Sequence, residues 1–173
     1  MQRPYILAGY VTAMVVVIVA ANITVQTPIN DWLTWGAVTY PFAFLVTDLA
    51  NRFEGAAFAR RVVYAGFVIA IGASAWLATP RIAIASGLAF LTAELLDVMI
   101  FDRLRRHAWW KPPLVSTLVA SVVDTAVFFS VAFAGTAMPW VTLGIGDFGV
   151  KVALALIALM PFRAAMALYG ARG

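Results

Sequence analysis

Long apolar stretches joined by short polar connections dominate this chain and limit what it can fold into. Six stretches are long enough to cross a hydrocarbon core of about 30 Å as helices that rise about 1.5 Å per residue. We predict spans at residues 5–24, 32–51, 61–79, 82–102, 113–134 and 147–170. Because backbone groups in lipid must bond within the protein, the sequence predicts an all-α integral membrane protein. We expect residues 1–173 to form a single compact bundle of six transmembrane helices.

The composition favours a membrane protein over a soluble or nucleic-acid-binding one. Hydrophobic residues make up 64% of the chain and charged residues only 12%, and the mean hydropathy is +0.93. The formal net charge is +4, but the distribution of the basic residues along the chain indicates membrane topology. We therefore expect no nucleic acid partner. The sequence contains no Cys, which excludes disulfides and thiolate metal sites. We predict neither a metal nor another cofactor.

The basic residues predict the orientation in the membrane. All Lys and Arg residues except Arg81 and Lys151 fall on one side of the predicted spans. Cytoplasmic loops carry the excess of Lys and Arg. Both termini are therefore predicted to face the cytoplasm.

Acidic residues inside the apolar spans are the candidates for function. They are Asp48, Glu94, Asp97 and Asp124. Insertion of one such residue near the bilayer centre costs roughly 2.5–3.5 kcal/mol, so several at overlapping depth need polar partners. Two spans carry matching stripes with spacings of 4, 3 and 4 residues, which place each set on one helix face. The stripes are Phe90–Glu94–Asp97–Phe101 and Thr117–Ser121–Asp124–Phe128.

Structural roles for these charges stay open as alternatives. Buried acids could pair with Lys151 or Arg52 to hold helices together. Asp147 lies four residues before Lys151, and Asp48 lies four before Arg52, so each can form a pair along one helix. The Phe residues of the stripes also suit core packing.

No catalytic motif supports an enzyme. Glu54–Arg60 faintly resembles the opening of the CDP-alcohol phosphotransferase motif, but the acidic metal-binding residues that should follow are absent from the sequence. The sequence also lacks a nucleophile elbow and a glycine-rich phosphate loop. We therefore predict no catalytic residues.

The second span and its flanks resemble the queuosine precursor transporter family, also called the vitamin uptake transporter (VUT) family. Thr39–Leu49 reads TYPFAFLVTDL and is followed by Asn51, Arg52 and Ala59–Arg61. Similar blocks follow in order along the chain: Glu94–Val98 with Phe101 and Arg103–Arg105, then Trp109, Trp110, Ser116, Thr117, Ser121–Thr125, Phe128 and Phe129, then Lys151 and Pro161. The resemblance covers the chain from about Thr34 to Leu168.

This resemblance implies import of queuosine precursors, the 7-deazaguanines preQ0 and preQ1, across the bacterial inner membrane. It also implies a fold similar to the substrate-binding components of energy-coupling-factor transporters. We expect the substrate to contact Glu94, Asp97, Asp124, Lys151, Asn51, Phe90, Phe128 and Ser121. Asp48 and Arg52 are expected to act in gating or coupling.

Two other functions stay open. The chain could be a substrate-binding component that needs a separate ATP-driven module, or a non-transport membrane protein whose buried acids are structural. The expected partners are therefore the lipid bilayer and a small molecule. A homodimer and an energising module are further candidates.

Overall fold

The computed structural model describes residues 4–24, 28–30, 33–77 and 79–170, which fold mainly into α-helices. The helices are α1 (Pro4–Thr24), α2 (Trp35–Thr39), α3 (Phe42–Glu54), α4 (Ala56–Leu77), α5 (Pro80–Leu104), α6 (Lys111–Phe133) and α7 (Trp140–Gly170). Two short antiparallel strands, β1 (Pro28–Asn30) and β2 (Leu33–Thr34), lie between α1 and α2. The apolar pattern did not predict this ribbon.

Four of the described helices are long and apolar enough to cross a membrane. They are α1 over Pro4–Ala21, α5, α6, and α7 over Trp140–Tyr169. Large apolar side chains point outward from the bundle, and Val68, Ile145 and Met160 are each about 70% exposed or more (69%, 70% and 76%). A soluble protein does not present so much apolar surface to water. The chain is therefore a multi-pass membrane protein.

The second predicted span, residues 32–51, is broken in the structure. The short helix α2 ends at Thr39, and α3 begins at Phe42. Pro41 lies in the break, where it has no backbone N–H to donate to the helix. Backbone turns close the gap, since Tyr40 N–H donates to Gly36 O (3.0 Å) and Ala43 N–H donates to Tyr40 O (2.9 Å). The expectation of one continuous helix here is wrong, and Pro41 is the physical reason.

Helices α5 and α6 pack against each other more extensively than any other pair of described elements. Half of the α5 span is buried inside the bundle. Arg81, at the start of α5, donates to Val131 O (2.8 Å) and Ala134 O (2.6 Å) at the end of α6. These bonds satisfy carbonyls that the end of a helix leaves unpaired. The two matching stripes are thereby held side by side.

Helices α1 and α4 meet closely at Gly66. A methyl group added there would lie 2.7 Å from Cγ of Met14, and Met14 is fully buried. The contact belongs to an apolar core that also contains Ile18, Val62 and Phe90. The small residue at 66 therefore sets the separation of these helices.

Candidate substrate site

The polar residues of α5 and α6 form a buried band through the middle of the bundle. Glu94, Asp97 and Ser121 are 0% exposed, and Asp48 and Asp124 are 3% exposed. Small residues such as Ala93 and Ala120, also 0% exposed, let the helix backbones approach closely. The structure thus brings together the acids that the sequence predicted as a group.

Lys151 anchors the α7 end of this band. Its ammonium lies 2.7 Å from Asp124 Oδ2 and also forms an ion pair with Asp147, one turn earlier on α7. It donates a third bond to Thr125 Oγ1 (3.0 Å), and the Thr125 hydroxyl donates to Asp147 Oδ2 (2.8 Å). An ammonium has three hydrogens, so these contacts use all of them. Lys151 therefore ties α6 to α7, and its contact with the substrate stays a prediction.

Tyr40, at the break between α2 and α3, joins the same network. Its hydroxyl donates to Asp124 Oδ1 over 3.1 Å. Lys151 Nζ lies 5.7 Å from the centre of its ring, close enough for a cation–π attraction. The sequence analysis did not select Tyr40, although its position directly before Pro41 in a membrane span was the available signal.

Asp48 lies on α3 and faces α6. It accepts hydrogen bonds from the hydroxyls of Thr117 (3.3 Å) and Ser116 (3.5 Å). Its carboxyl group also neighbours Asp97 of α5. The pair expected between Asp48 and Arg52 is not among the ion pairs of the described residues, because Asp48 points into the bundle. Asp48 therefore belongs with the buried acids.

Glu94 and Asp97 differ from the other acids because none of their carboxyl oxygens has a hydrogen-bond partner among the described residues. The hydroxyls of Thr47 and Ser121, both fully buried, also lack a partner there. Thr47 and Asp124 are neighbours of Glu94, and Ser116 and Thr117 are neighbours of Asp97. Buried polar groups are nearly always hydrogen-bonded. These groups make this part of the bundle the candidate site for a polar ligand.

Asn51 and Arg52 lie at the far end of α3 and tie it to α5. The Asn51 amide donates to Val98 O (3.0 Å), and the Arg105 guanidinium donates to Asn51 O (2.6 Å) and to Asn51 Oδ1. Arg52 donates to Arg105 O (3.4 Å), and Arg105 donates to Arg52 O (3.3 Å). We call Asn51, Arg52 and Arg105 the clasp. The amide of Asn51 thus bonds to protein groups, and its contact with the substrate stays a prediction.

The two predicted stacking residues lie apart. Phe90 is 2% exposed and meets Tyr40 edge-on, with ring centres 6.5 Å apart. Phe128 packs instead against Phe129 and Phe133, with ring centres 5.2 and 6.0 Å away. Phe90 thus reaches the network through Tyr40, whereas Phe128 joins an aromatic cluster near the end of α6.

A crevice between α3, α6 and α7 leads toward Asp48. Its empty space, part of which opens outward, is about 270 Å³. Asp48 and Thr117 contribute polar atoms, and Phe44, Ala155 and Phe162 contribute apolar walls.

The fold and the site define a class of protein: a multi-pass helical membrane protein with a broken helix beside buried, unpaired acids. Broken helices beside a polar site are a recurrent feature of transporters. The family described as putative vitamin uptake transporters matches residues 34–79 and 73–166. The chain belongs to this family, which confirms the resemblance found in the sequence.

Named relatives align with most of the chain. It is 35% identical over 174 residues to the queuosine precursor transporter of Escherichia coli, covering 84% of this chain and 79% of the relative. The probable queuosine precursor transporter of Haemophilus influenzae is 35% identical over 186 residues, with the same shares covered. The probable queuosine precursor transporter of Bacillus subtilis is 31% identical over 156 residues, covering 73% of this chain and 68% of the relative. No solved structure gives a significant match.

Proposed function

We propose that this protein imports queuosine precursors, the 7-deazaguanines preQ0 and preQ1, across the bacterial inner membrane. The observation that carries the proposal is the pair of fully buried carboxyl groups, Glu94 and Asp97, whose oxygens have no partner among the described residues. The names of the relatives supply the substrate class, since they align with 84% of this chain.

The hydrogen-bonding groups of the site complement a guanine edge. That edge presents the N1–H and N2–H2 donors beside the O6 acceptor. A carboxylate accepts from both donors at once, which gives a strong charge-assisted pair where water is excluded. Glu94 takes this role because it lies near the middle of α5, between Thr47 and Asp124. The hydroxyls of Thr47 and Ser121 are free to donate to O6.

The remaining predicted residues receive roles that follow from their contacts. Asp97 and Asp48 lie next to each other and serve the substituent at position 7 of the ligand. Asp124 and Lys151 hold the adjoining wall through their 2.7 Å ion pair. The clasp closes the end of α3 and α5 that is predicted to face the cytoplasm, so Arg52 acts in gating through Arg105 rather than through Asp48.

The chain crosses the membrane six times in this proposal, with both termini in the cytoplasm. The broken α2–α3 segment forms one crossing. Helix α4, with 22 residues, forms another, since it extends about 33 Å at 1.5 Å per residue. This topology resembles the substrate-binding components of energy-coupling-factor transporters.

Uptake by cells tests the function. Cells that lack both queuosine precursor synthesis and their own transporter receive this gene, and labelled preQ0 or preQ1 is supplied at low concentration. We expect label to appear inside the cells and in their transfer RNA. Cells that carry the double variant Glu94→Gln/Asp97→Asn should show no label in either place. Equal accumulation with and without the gene would refute the function. Purified protein in liposomes then separates independent transport from dependence on a second module.

The absence of Cys from the sequence makes the topology easy to test. Single variants His107→Cys and Thr136→Cys place a thiol in each of two exposed loops. A membrane-impermeant maleimide added to intact spheroplasts should label Thr136→Cys only. Labelling of His107→Cys under these conditions would contradict a cytoplasmic α5–α6 loop.

A further inference from the structure

The buried acid cluster, which consists of Asp48, Glu94 and Asp97, contains no positive charge of its own. Its three side chains are 0–3% exposed. The groups around it are hydroxyls and the acids themselves. Ser116 and Thr117 donate to Asp48, Thr47 lies close to Glu94, and Asp48, Ser116 and Thr117 lie close to Asp97. No Lys or Arg forms an ion pair with any of the three in the described part of the chain. The cluster is therefore an acidic site without a counter-charge.

Two basic groups of the bundle, Lys151 and Arg105, are occupied elsewhere. Lys151 forms ion pairs with two carboxylates, Asp124 and Asp147. Its single positive charge therefore does not neutralise a third acid. At the other end, Arg105 pairs with Asp102 at 3.0 Å and donates to Asn51 and Arg52. Neither cation points at Glu94 or Asp97. No Lys or Arg of the described residues thus pairs with the carboxyl groups in the middle of the bundle.

The ionised form of a carboxyl group is costly in a water-poor interior unless a partner of opposite sign is present. The attraction between such partners also grows as the effective dielectric constant falls. A ligand that brings a cation therefore gains more here than a neutral ligand of the same shape. The hydroxyls of Thr47 and Ser121, each 0% exposed, can donate to acceptors on such a ligand.

We propose that the acid cluster selects a cationic ligand, an ammonium arm attached to a flat, guanine-like ring. This inference rests on the proposed function and narrows it: preQ1, whose aminomethyl group is positively charged, is the preferred substrate over preQ0, whose nitrile is neutral. Glu94 receives the donor edge of the ring, Thr47 and Ser121 face its oxygen, and the ammonium lies between Asp97 and Asp48. The neutral ligand satisfies only the first two of these three contacts.

A crevice borders Asp48 on the side away from Glu94 in this arrangement. It runs between α3, α6 and α7 and reaches Asp48 and Thr117. A substituent at position 7 that points toward Asp48 would extend into this space. The charged arm thus meets acid at one end of the site while the ring stays beside Glu94.

The preference for a cationic ligand is tested by measuring binding to the purified full chain in nanodiscs. Affinities are measured for preQ1, for preQ0 and for unsubstituted 7-deazaguanine. We expect preQ1 to bind about tenfold or more tighter than preQ0, because a charge pair removed from water contributes at least this much affinity. In Asp97→Asn and in Asp48→Asn this ratio should fall toward one. The control Asp102→Asn, which changes an exposed acid on the same helix, should keep the wild-type ratio.

The outcomes separate this inference from the function on which it rests. If the wild-type protein binds preQ0 as tightly as preQ1 or more tightly, the charge selection is wrong and the transport function stands. An unchanged ratio in both Asp97→Asn and Asp48→Asn would likewise overturn the placement of the ammonium. If none of the three compounds binds and cells show no uptake, both proposals fail together. If a variant does not fold, the ratio of preQ1 affinity to preQ0 affinity in the wild-type protein still tests the charge selection.

Discussion

The hydroxyl of Tyr40 donates to Oδ1 of Asp124 over 3.1 Å, although 84 residues separate them in the chain. Tyr40 lies at the break between α2 and α3, and Asp124 lies on α6, where it also pairs with Lys151. This bond connects the irregular segment to an ion pair inside the bundle. The break is thus held by a polar contact as well as by Pro41.

Tyr40→Phe removes this bond and leaves the ring in place. A hydrogen bond to a charged group contributes about 1.5–3 kcal/mol, so we expect the free energy of unfolding to fall by that amount. Unfolding in detergent measures it. In a double-mutant cycle with Asp124→Asn, the two effects should be far from additive. Additive effects would mean that the hydroxyl acts on a different partner.

Lys151→Met should destabilise the protein strongly. The change leaves Asp124 and Asp147 facing each other without their shared ammonium, and removal of one partner from a buried pair costs about 3–5 kcal/mol. Lys111→Met is the matched control, since Lys111 is exposed and lies over the Trp110 ring at 5.7 Å. We expect no comparable loss there. If Lys151→Met keeps normal stability but loses substrate binding, Lys151 contacts the substrate instead.

Glu94→Gln should separate binding from folding. Both oxygens of Glu94 lack partners among the described residues, so the neutral amide loses no bond inside the protein, and its burial costs less than that of a charge. We expect the unfolding temperature without substrate to stay equal or rise. The affinity should weaken by about 2–5 kcal/mol, as for other broken charge-assisted pairs. A loss of stability with retained affinity would contradict a binding role.

The sequence was sufficient to predict a helical membrane protein and the group of buried acids. Periodicity places Glu94 and Asp97 on one face of α5, and Ser121 and Asp124 on one face of α6, because a helix fixes these directions locally. The pair between Asp147 and Lys151 could also be anticipated, since its members lie one turn apart on one helix.

Contacts between distant elements could not be predicted in this way. Asp48 faces Thr117 rather than Arg52, and Arg105 reaches Asn51, because the rotation of α3 against α5 and α6 sets these pairs. Spacing along one helix carries no information about that rotation. The break at Pro41 was missed for a different reason: apolar length alone was used to draw the second span.

Gly66→Ala should disturb the contact between α1 and α4. The new methyl group would lie 2.7 Å from Met14 Cγ, and overpacking of this kind costs about 1–3 kcal/mol. Gly72→Ala lies on the same helix and meets nothing within 4 Å, so it should gain up to about 1 kcal/mol of helix propensity. The unfolding temperatures of Gly66→Ala and Gly72→Ala, each relative to wild type, measure these two stability changes. Equal stability changes would show that α1 and α4 separate without cost.

Arg105→Lys tests the clasp as a gate at the end of α3 and α5. The guanidinium of Arg105 bonds to Asn51 O, Arg52 O and Asp102 at 2.6, 3.3 and 3.0 Å. A lysine keeps the charge but lacks the forked donors needed to hold these groups together. Loss of hydrogen bonds from a charged group costs about 1.5–3 kcal/mol. That amount shifts an equilibrium between two transporter states by about tenfold or more.

We therefore expect Arg105→Lys to bind substrate within a few-fold of wild type in detergent and to lose most of its uptake in cells. Arg103→Lys is the control. It is the same chemical change two residues earlier in the chain, and Arg103 is exposed and lies outside the clasp. Its uptake should match wild type. If Arg105→Lys transports normally, the clasp only stabilises the fold. If binding and uptake fall together, the clasp shapes the substrate site itself, and the gate lies elsewhere in the bundle.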